Sequence, residues 1–254
     1  MIDEGALMLF LLITARMTGF VSFSPLLGRR NFPGFFRAGF ILVLSVFTYS
    51  VDGGTAALPR GLLDFAMEVL LELALGFVLG MVVQFFFSIP QQTGLAIDTQ
   101  MGMTMNQIYD SGAQSNMSVT GTLLNTLMIL LFFVGNGHHT MLRIMITSSR
   151  LVGYGGVSIG GEVVNALLEL FVECVLLAVK LAMPILAAEL LGQMGMGILM
   201  KVIPQINVFS INIELKVIIG LMLLLLLLYP FSEFLLAAER SMLNSMGALL
   251  ALSG

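Results

Sequence analysis

The chain has 254 residues, of which 58% are hydrophobic and 10% are charged, and its mean hydropathy is +1.01. This composition excludes an ordinary soluble domain, in which about a quarter of the residues carry charge, and it predicts a compact helical membrane protein. The formal net charge of -4 argues against nucleic-acid binding, and the single cysteine, Cys174, permits neither an internal disulfide bond nor a thiolate metal cluster.

The first apolar run, residues 5–23, predicts a membrane-spanning helix that contains Arg16. A central arginine costs about 2.5–3.5 kcal/mol on insertion scales, so Arg16 should face a partner carboxylate or a ring of carbonyls in preference to a substrate. Asp3 and Glu4 stand where a secretory signal would carry basic residues, so we expect this span to be retained.

Residues 35–50 predict a second span, and residues 62–89 predict a third. The third begins with Asp64, Glu68 and Glu72, whose helical spacing places them on one face. Carboxylates in such a row repel each other and need water, a cation or a basic partner. The solvated end of a helix would also accommodate them.

Two glycines and a proline follow in the third run. Gly76 and Gly80 form a GxxxG motif, which lets another helix approach closely. Pro90 should then end or kink the helix, because proline removes a backbone donor and its ring crowds the preceding turn.

The stretch from Gln91 to Ser118 is polar and rich in glycine and methionine, and it lies between two strongly apolar runs. It is long for a connector, and long loops in compact folds are usually functional or disordered. Met101, Met103 and Met105 alternate in it with small or polar residues. Irregular backbone at membrane depth is tolerated only where protein buries it or where it lines a water-filled cavity. We therefore interpret the stretch as a constriction loop over a conduit.

Residues 117–134 predict a fourth span. His138 and His139 follow it, and adjacent positions on a helix point about 100° apart, which is poor geometry for joint metal ligation. Residues 150–161 form a glycine-rich turn segment that lacks the signature of a phosphate-binding loop.

Charged residues accompany the long apolar run over residues 163–192. Glu162, Glu169, Glu173 and Lys180 recur at helical spacing along one stripe. A lipid-facing helix would not tolerate this stripe, so it should line protein contacts or an aqueous path. Paired charges at an interface are favoured over ion transport, although the pattern fits both.

Residues that disfavour a regular helix follow in the same run and beyond it. Pro184 should kink the helix, and a break is expected at Pro204. Three glycines before that break should loosen the helix: Gly192, Gly195 and Gly197. The last apolar run ends at Pro230, and the amphipathic tail after it predicts either a sixth span or an interfacial helix.

The distribution of basic residues gives no single membrane orientation. The loop after the first span, with Arg29, Arg30 and Arg37, should be cytoplasmic, yet the loop after the fourth, with Arg143 and Arg150, would then face outward. This conflict, together with the prolines and the charges inside helices, indicates an all-α subunit buried among other subunits rather than surrounded by lipid.

Several stretches resemble one family. They are ITARMTGFVSFSPLLGRRNFPGFFRAGF in the first quarter, GLAIDTQMGMTMNQIYD in the centre, FFVGNGHHTMLR and SIGGE after it, and VIPQINVFSINIELKVIIGL near the end. In order and spacing they resemble the FliR family of flagellar biosynthetic proteins, with the homologous subunit of virulence type III secretion systems as a more distant relative.

The resemblance implies an all-α fold of kinked helical hairpins in an export-gate assembly at the bacterial inner membrane, within the flagellar basal body. It implies a FliP-like part over residues 1–162, with a central pore loop at about 91–118, and a FliQ-like part over residues 163–254. One copy would assemble with several copies of FliP and FliQ, and FlhB and FlhA would be further partners. The cargo would be unfolded flagellar proteins.

The resemblance also implies functional positions. The central segment would plug the export pore, which assigns that role to Met101, Met103, Met105, Gln107, Ile108, Tyr109 and Asp110. The family's paired aromatic residues align with Met105 and Ile108, so bulk is kept but aromatic stacking is not. A soft apolar plug would block ions and water by dewetting and yield to a substrate. Subunit-interface positions would be Arg16, Gly76, Gly80, Glu169, Glu173 and Lys180.

Other classes of protein remain as alternatives. A secondary transporter or ion channel also shows broken helices and intramembrane charges, but we see no internal repeat of the kind that transporters carry. An intramembrane enzyme is disfavoured, since no GxSxG or HExxH motif is present. A purely structural scaffold would leave the methionine-rich centre without a reason. We predict no catalytic residue, cofactor or metal site.

Overall fold

The computed structural model describes residues 4–26, 33–52, 61–103, 118–202 and 208–254. These residues form α-helices and short connections, and none of them lies in a β-strand, so the all-α class is confirmed. The helices are α1 (Glu4–Phe23), α2 (Gly34–Asp52), α3 (Leu62–Met101), α4 (Val119–Val134), α5 (Gly137–Ile146), α6 (Gly161–Val202), α7 (Val208–Leu226) and α8 (Leu228–Leu252).

The length and hydropathy of these helices fit a membrane. Among the described residues, α1, α2, α3 and α6 are each long and apolar enough to cross a bilayer. The α4–α5 and α7–α8 pairs are each bent at a short break, and the number of spans rises to six if each pair counts as one. Helices therefore cover the predicted apolar runs, and four of these helices have the length of a span. Whether the tail in α8 is a sixth span or an interfacial helix stays a prediction.

Helix α3 differs from its prediction. It continues from Leu62 to Met101 through Pro90, so the helix does not end at this proline, and a kink there stays a prediction. Residues 91–101 of the predicted loop are helical. Backbone groups freed by a proline are re-satisfied by neighbouring groups in apolar surroundings, whereas ending the helix there would strand more of them.

Helix α6 also continues where a disruption was expected. It runs from Gly161 to Val202 through Pro184 and through all three glycines without a break, and the expected kink at Pro184 and loosening at the glycines stay predictions. A Cβ atom at Gly195 or Gly197 would meet nothing within 4 Å, so no close contact requires glycine there. Pro204 lies outside the described residues.

The chain forms two compact units that alternate along the sequence. Unit 1 comprises Met1–Phe86, Gly135–Val172 and Glu239–Gly254, and unit 2 comprises Phe87–Val134 and Glu173–Ala238. The FliP-like and FliQ-like parts expected from the resemblance are consecutive, at 1–162 and 163–254, and this division stays a prediction.

Each unit has its own apolar core. In unit 1 the side chains of Ile13, Met17 and Phe20 from α1 are fully buried. In unit 2 the rings of Phe87 and Phe132 meet edge to face with their centroids 5.6 Å apart, a favourable aromatic geometry. These cores fix the helices that carry the polar groups described next.

Candidate functional site

The predicted plug is only partly within the described residues. Met101 and Met103 are described, whereas Met105, Gln107, Ile108, Tyr109 and Asp110 lie in residues 104–117, outside the described ranges. The plug therefore stays a prediction, and the structure shows the helices on either side of it.

Met101, the last residue of α3, packs tightly within unit 2. Its side chain is fully buried. A Cβ atom added to Gly220 of α7 would overlap the side chain of Met101, with the sulfur atom only 2.8 Å away. The end of α3 is thus docked on α7 through a methionine that fills the space left by a glycine. Met103, two residues later, is partly exposed.

A carboxylate joins the end of α3 to the start of α4. The Oδ2 atom of Asp98 accepts a hydrogen bond from the hydroxyl of Ser118 at 2.6 Å and another from the backbone N–H of Thr120 at 3.2 Å. The Ser118 hydroxyl oxygen in turn accepts a hydrogen bond from the N–H of Gly121 at 2.8 Å. These acceptors satisfy donors in the first turn of α4, as helix-capping groups do. We call Asp98, Ser118 and Thr120 the neck.

Small residues hold α3 and α4 together beside the neck. A Cβ atom at Gly94 would collide with the backbone of Gly121, so a larger residue at Gly94 could not be accommodated without separating the helices. The hydroxyl of Thr93, one residue earlier, donates a hydrogen bond to the carbonyl of Ala178 in α6 at 3.0 Å. The C-terminal part of α3 is therefore fixed to both α4 and α6.

A cavity of about 310 Å³ opens next to the neck. Its lining surface is mostly apolar, although five of the seven lining residues carry amide or hydroxyl groups. The lining residues are Gln91, Gln92, Leu95, Ser118, Gly121, Thr122 and Asn125. The polar residues at the beginning of the predicted loop are thus helical residues around this cavity.

Arg16 is the centre of a second polar cluster, in unit 1. Its guanidinium is fully buried and makes a two-point ion pair with Glu72, from Nε to Oε2 at 2.5 Å and from Nη2 to Oε1 at 3.0 Å. It also donates to the Ser148 hydroxyl at 2.8 Å and to the Val152 carbonyl at 3.2 Å. The ring of Tyr154 lies 4.4 Å from the guanidinium carbon, within the range of a cation–π contact.

The partner carboxylate expected for Arg16 is therefore confirmed, and it comes from the acidic face of α3. The Oε1 atom of Glu72 also accepts the N–H of Gly155 at 3.0 Å. The cluster ties α1, α3 and the segment after α5 into one unit. The placement of Arg16 at a subunit interface stays a prediction. The other two acidic residues differ from Glu72, since Asp64 is exposed and Glu68 is half-buried.

The close helix approach expected at Gly76 and Gly80 is confirmed within the chain. A Cβ atom at Gly76 would overlap the Arg16 carbonyl, and one at Gly19 would overlap the Leu73 carbonyl, so α1 and α3 touch backbone to backbone. A Cβ atom at Gly80 would lie 3.1 Å from that of Phe23. Because the two helices are this close, the short reach from Arg16 to Glu72 becomes possible. A role of these glycines between subunits stays a prediction.

The charged stripe of α6 is on the outside of the chain. Glu169, Glu173 and Lys180 are exposed, and none of them makes an ion pair or hydrogen bond within the described residues. Large apolar side chains next to them, including Leu168 and Leu176, are more than half exposed. This helix therefore presents unpaired charge and apolar surface together.

The neck is the feature that the sequence analysis missed. In the sequence, Asp98 is part of a polar stretch and Ser118 is its last residue. Ser118 directly before an apolar run is a helix N-cap signal that could have placed the start of α4. Its pairing with Asp98 carries no local signal, because the two residues come together only in the fold. In the described part of the chain, no three His, Cys, Asp or Glu side chains come together as metal ligands would.

Comparisons with known proteins give a consistent result. A family model described as bacterial export proteins, family 1, matches residues 7–241. A flagellar biosynthetic protein FliR of Bacillus subtilis (strain 168) is 26% identical over 227 residues, which is 85% of this chain and 84% of the relative. The protein of the same name from Escherichia coli (strain K12) is 25% identical over 229 residues, covering 87% and 85%. The Yop proteins translocation protein T of Yersinia pestis is 24% identical over 226 residues, covering 88% and 87%.

Proposed function

We propose that this chain, which belongs to the bacterial export proteins, family 1, is a core subunit of a flagellar type III protein export gate. A role in flagellar or type III protein export follows from the family and from relatives that carry FliR and Yop translocation names. The observation that carries this conclusion is the family match, which spans residues 7–241 and so includes all eight helices described above in whole or in part.

The finer assignment is an assembly with FliP and FliQ, at the inner membrane in the flagellar basal body, with FlhB and FlhA as further partners. The outward face of α6 supports a place among other subunits. Each unpaired charge at the centre of a lipid-facing helix would cost about 2.5–3.5 kcal/mol, and protein contacts would remove that cost. Glu169, Glu173 and Lys180 are the charges that need such cover.

The segment between α3 and α4 is the proposed plug of the channel, through which unfolded flagellar proteins pass. Met103, Met105 and Ile108 provide its apolar bulk, and the flexible methionine side chains adapt to irregular packing. A constriction lined in this way excludes ions and water by dewetting, yet it requires no bond to be broken when a polypeptide pushes through. The docked end of α3 supports this role, since a plug needs a fixed attachment.

The function is tested with the chain assembled with FliP and FliQ and reconstituted into vesicles. Copurification with both subunits, and the mass of the intact complex, test the assembly. Replacing Met105 and Ile108 with glycine, or deleting Gln107 to Gln114, should leave assembly intact and make the vesicles leak small ions.

The exposed α3 residue Thr99 provides a matched control, since its hydroxyl bonds only to its own helix, at the Leu95 carbonyl. The substitution Thr99→Val should leave the vesicles tight. Unchanged conductance in both the glycine and the deletion variants would remove the segment from the seal. Loss of copurification on deletion would make it an assembly element instead.

A further inference from the structure

We propose that Asp98 is a positioning residue that fixes the distance between the end of α3 and the start of α4, the two points to which the proposed plug is attached. This role rests on the proposed function, because it matters for export only if residues 104–117 seal a channel. The observations for it come from the three residues of the neck, which are not among the predicted plug residues.

The hydrogen bonds of Asp98 are asymmetric. Its side chain is only 1% exposed, and its Oδ2 atom takes both donors of the neck. Its Oδ1 atom is buried without a hydrogen-bond partner among the described residues. Burial of a carboxylate with one unsatisfied oxygen costs free energy, and an apolar side chain of similar size would fill the same space at a lower cost. An apolar residue, however, could not accept the hydrogen bonds from Ser118 and Thr120.

The surroundings restrict movement of that connection. Gly94 and Gly121 hold the two helices in backbone contact beside the neck, and Thr93 bonds α3 to α6. The backbone carbonyl of Asp98 also accepts a hydrogen bond from the N–H of Met103 at 3.0 Å, which holds the backbone that follows α3. The helices are thus rigidly paired up to the neck, and Asp98 is the last side chain of α3 that bonds across to α4. A change there alters where the chain leaves the paired helices without separating them.

The experiment compares ion leak from vesicles that contain the full complex with FliP and FliQ. Asp98→Leu removes the acceptor, and Ser118→Ala removes the hydroxyl that bonds to it. The loss of one hydrogen bond to the carboxylate corresponds to about a tenfold shift in the closed population. Ser118→Ala loses one such bond and should raise the leak by about tenfold, whereas Asp98→Leu also loses the bond from Thr120 and should raise the leak further. The double variant should leak no more than Asp98→Leu alone, because that substitution already removes the bond to Ser118.

Two further variants separate positioning from general damage. Ser118→Thr keeps the hydroxyl and should be as tight as the parent complex, whereas a role of Ser118 in mere packing would make threonine as harmful as alanine. Thr99→Val changes a neighbouring exposed hydroxyl that bonds only within its helix, and should also remain tight. If Asp98→Leu prevents copurification, Ser118→Ala, which loses a single oxygen atom, still decides the question.

The outcomes distinguish this role from the function on which it rests. Deletion of Gln107 to Gln114 serves as the open reference. If the deletion variant leaks while Asp98→Leu and Ser118→Ala both stay tight, the positioning role is overturned and the proposed function of the plug is still supported. A tight deletion variant overturns the plug, and the role of Asp98 falls with it. Leak that adds up in the double variant also overturns the positioning role, since the two residues would then act separately.

Discussion

Replacement of Glu72 by glutamine should strongly destabilise the chain. The carboxylate of Glu72 accepts two hydrogen bonds from Arg16 and one from Gly155, and both charged groups are fully buried. Glutamine keeps the shape of the side chain but removes the charge, so the guanidinium remains buried without a counter-ion. Removing one partner of a buried pair costs about 3–5 kcal/mol, and we expect a loss of that size in the free energy of unfolding.

The paired substitution Arg16→Met with Glu72→Met should cost less than Glu72→Gln alone. No charge remains buried in the double variant, and apolar replacements of buried ion pairs are often close to neutral. The buried carbonyl of Val152 loses its arginine donor, which limits the recovery by about 1–3 kcal/mol. The N–H of Gly155 also loses its acceptor, but Gly155 is exposed and water can replace the carboxylate there. Ser148 keeps a partner, because its hydroxyl also donates to the Met145 carbonyl at 2.7 Å.

A buried thiol in unit 1 provides the assay. Cys174, the only cysteine of the chain, lies in unit 2, so it is replaced by alanine and Val21→Cys places a single fully buried thiol in the unit that holds Glu72. A thiol-reactive dye labels this position only when unit 1 opens. Labelling is followed during thermal or denaturant unfolding of the complex with cysteine-free partner subunits. Asp64→Asn is the matched control, since Asp64 lies on the same helix but is exposed, and its effect should be within about 0.5 kcal/mol. A loss of less than about 1 kcal/mol in Glu72→Gln, the value of an exposed pair, would refute this reasoning.

Two other predictions concern helix packing and the outer face of α6. Gly76→Val should prevent α1 and α3 from packing and should lower the unfolding temperature and yield of the complex. The control Gly39→Ala, where a Cβ atom meets nothing within 4 Å, should be neutral or slightly stabilising. An equal loss in both variants would contradict the close-packing argument. Lys180→Glu should weaken copurification with FliP and FliQ without changing Cys174 labelling of the chain. The control Lys201→Glu, the same charge reversal at the C-terminal end of α6, should leave copurification unchanged. Undiminished copurification of Lys180→Glu would place this residue outside the subunit contacts.

Sequence patterns identified the features that depend on local composition. The apolar runs predicted the helices, and the cost of a charge in such a run predicted a partner for Arg16. The GxxxG spacing of Gly76 and Gly80 predicted close packing. The identity of the partner could not be predicted, because Glu72 was one of three equivalent carboxylates on one face. Only the backbone contact between α1 and α3 brings Glu72, rather than Glu68, within reach of Arg16.

The continuity of two helices has a physical cause. In water, a helix broken at Pro90 or at the glycines of α6 would exchange its internal hydrogen bonds for solvent. In apolar surroundings a broken helix leaves backbone groups unsatisfied, so α3 and α6 continue through these residues. Two features could not be predicted from the sequence: the neck and the alternation of the two units. Both depend on residues distant in sequence, which a reading of local patterns does not connect.

The charged residues of the helices fall into two groups that differ in burial and in pairing. Arg16 and Glu72 are fully buried and satisfy each other within the chain. Glu169, Glu173 and Lys180 are exposed on a helix of membrane-spanning length and have no ion-pair partner among the described residues. If lipid covered that face, the three charges together would cost several kcal/mol, which is comparable to the whole stability of a typical domain. Nothing among the described residues offsets that cost, which favours cover of this face by protein or water over a subunit that stands alone in lipid.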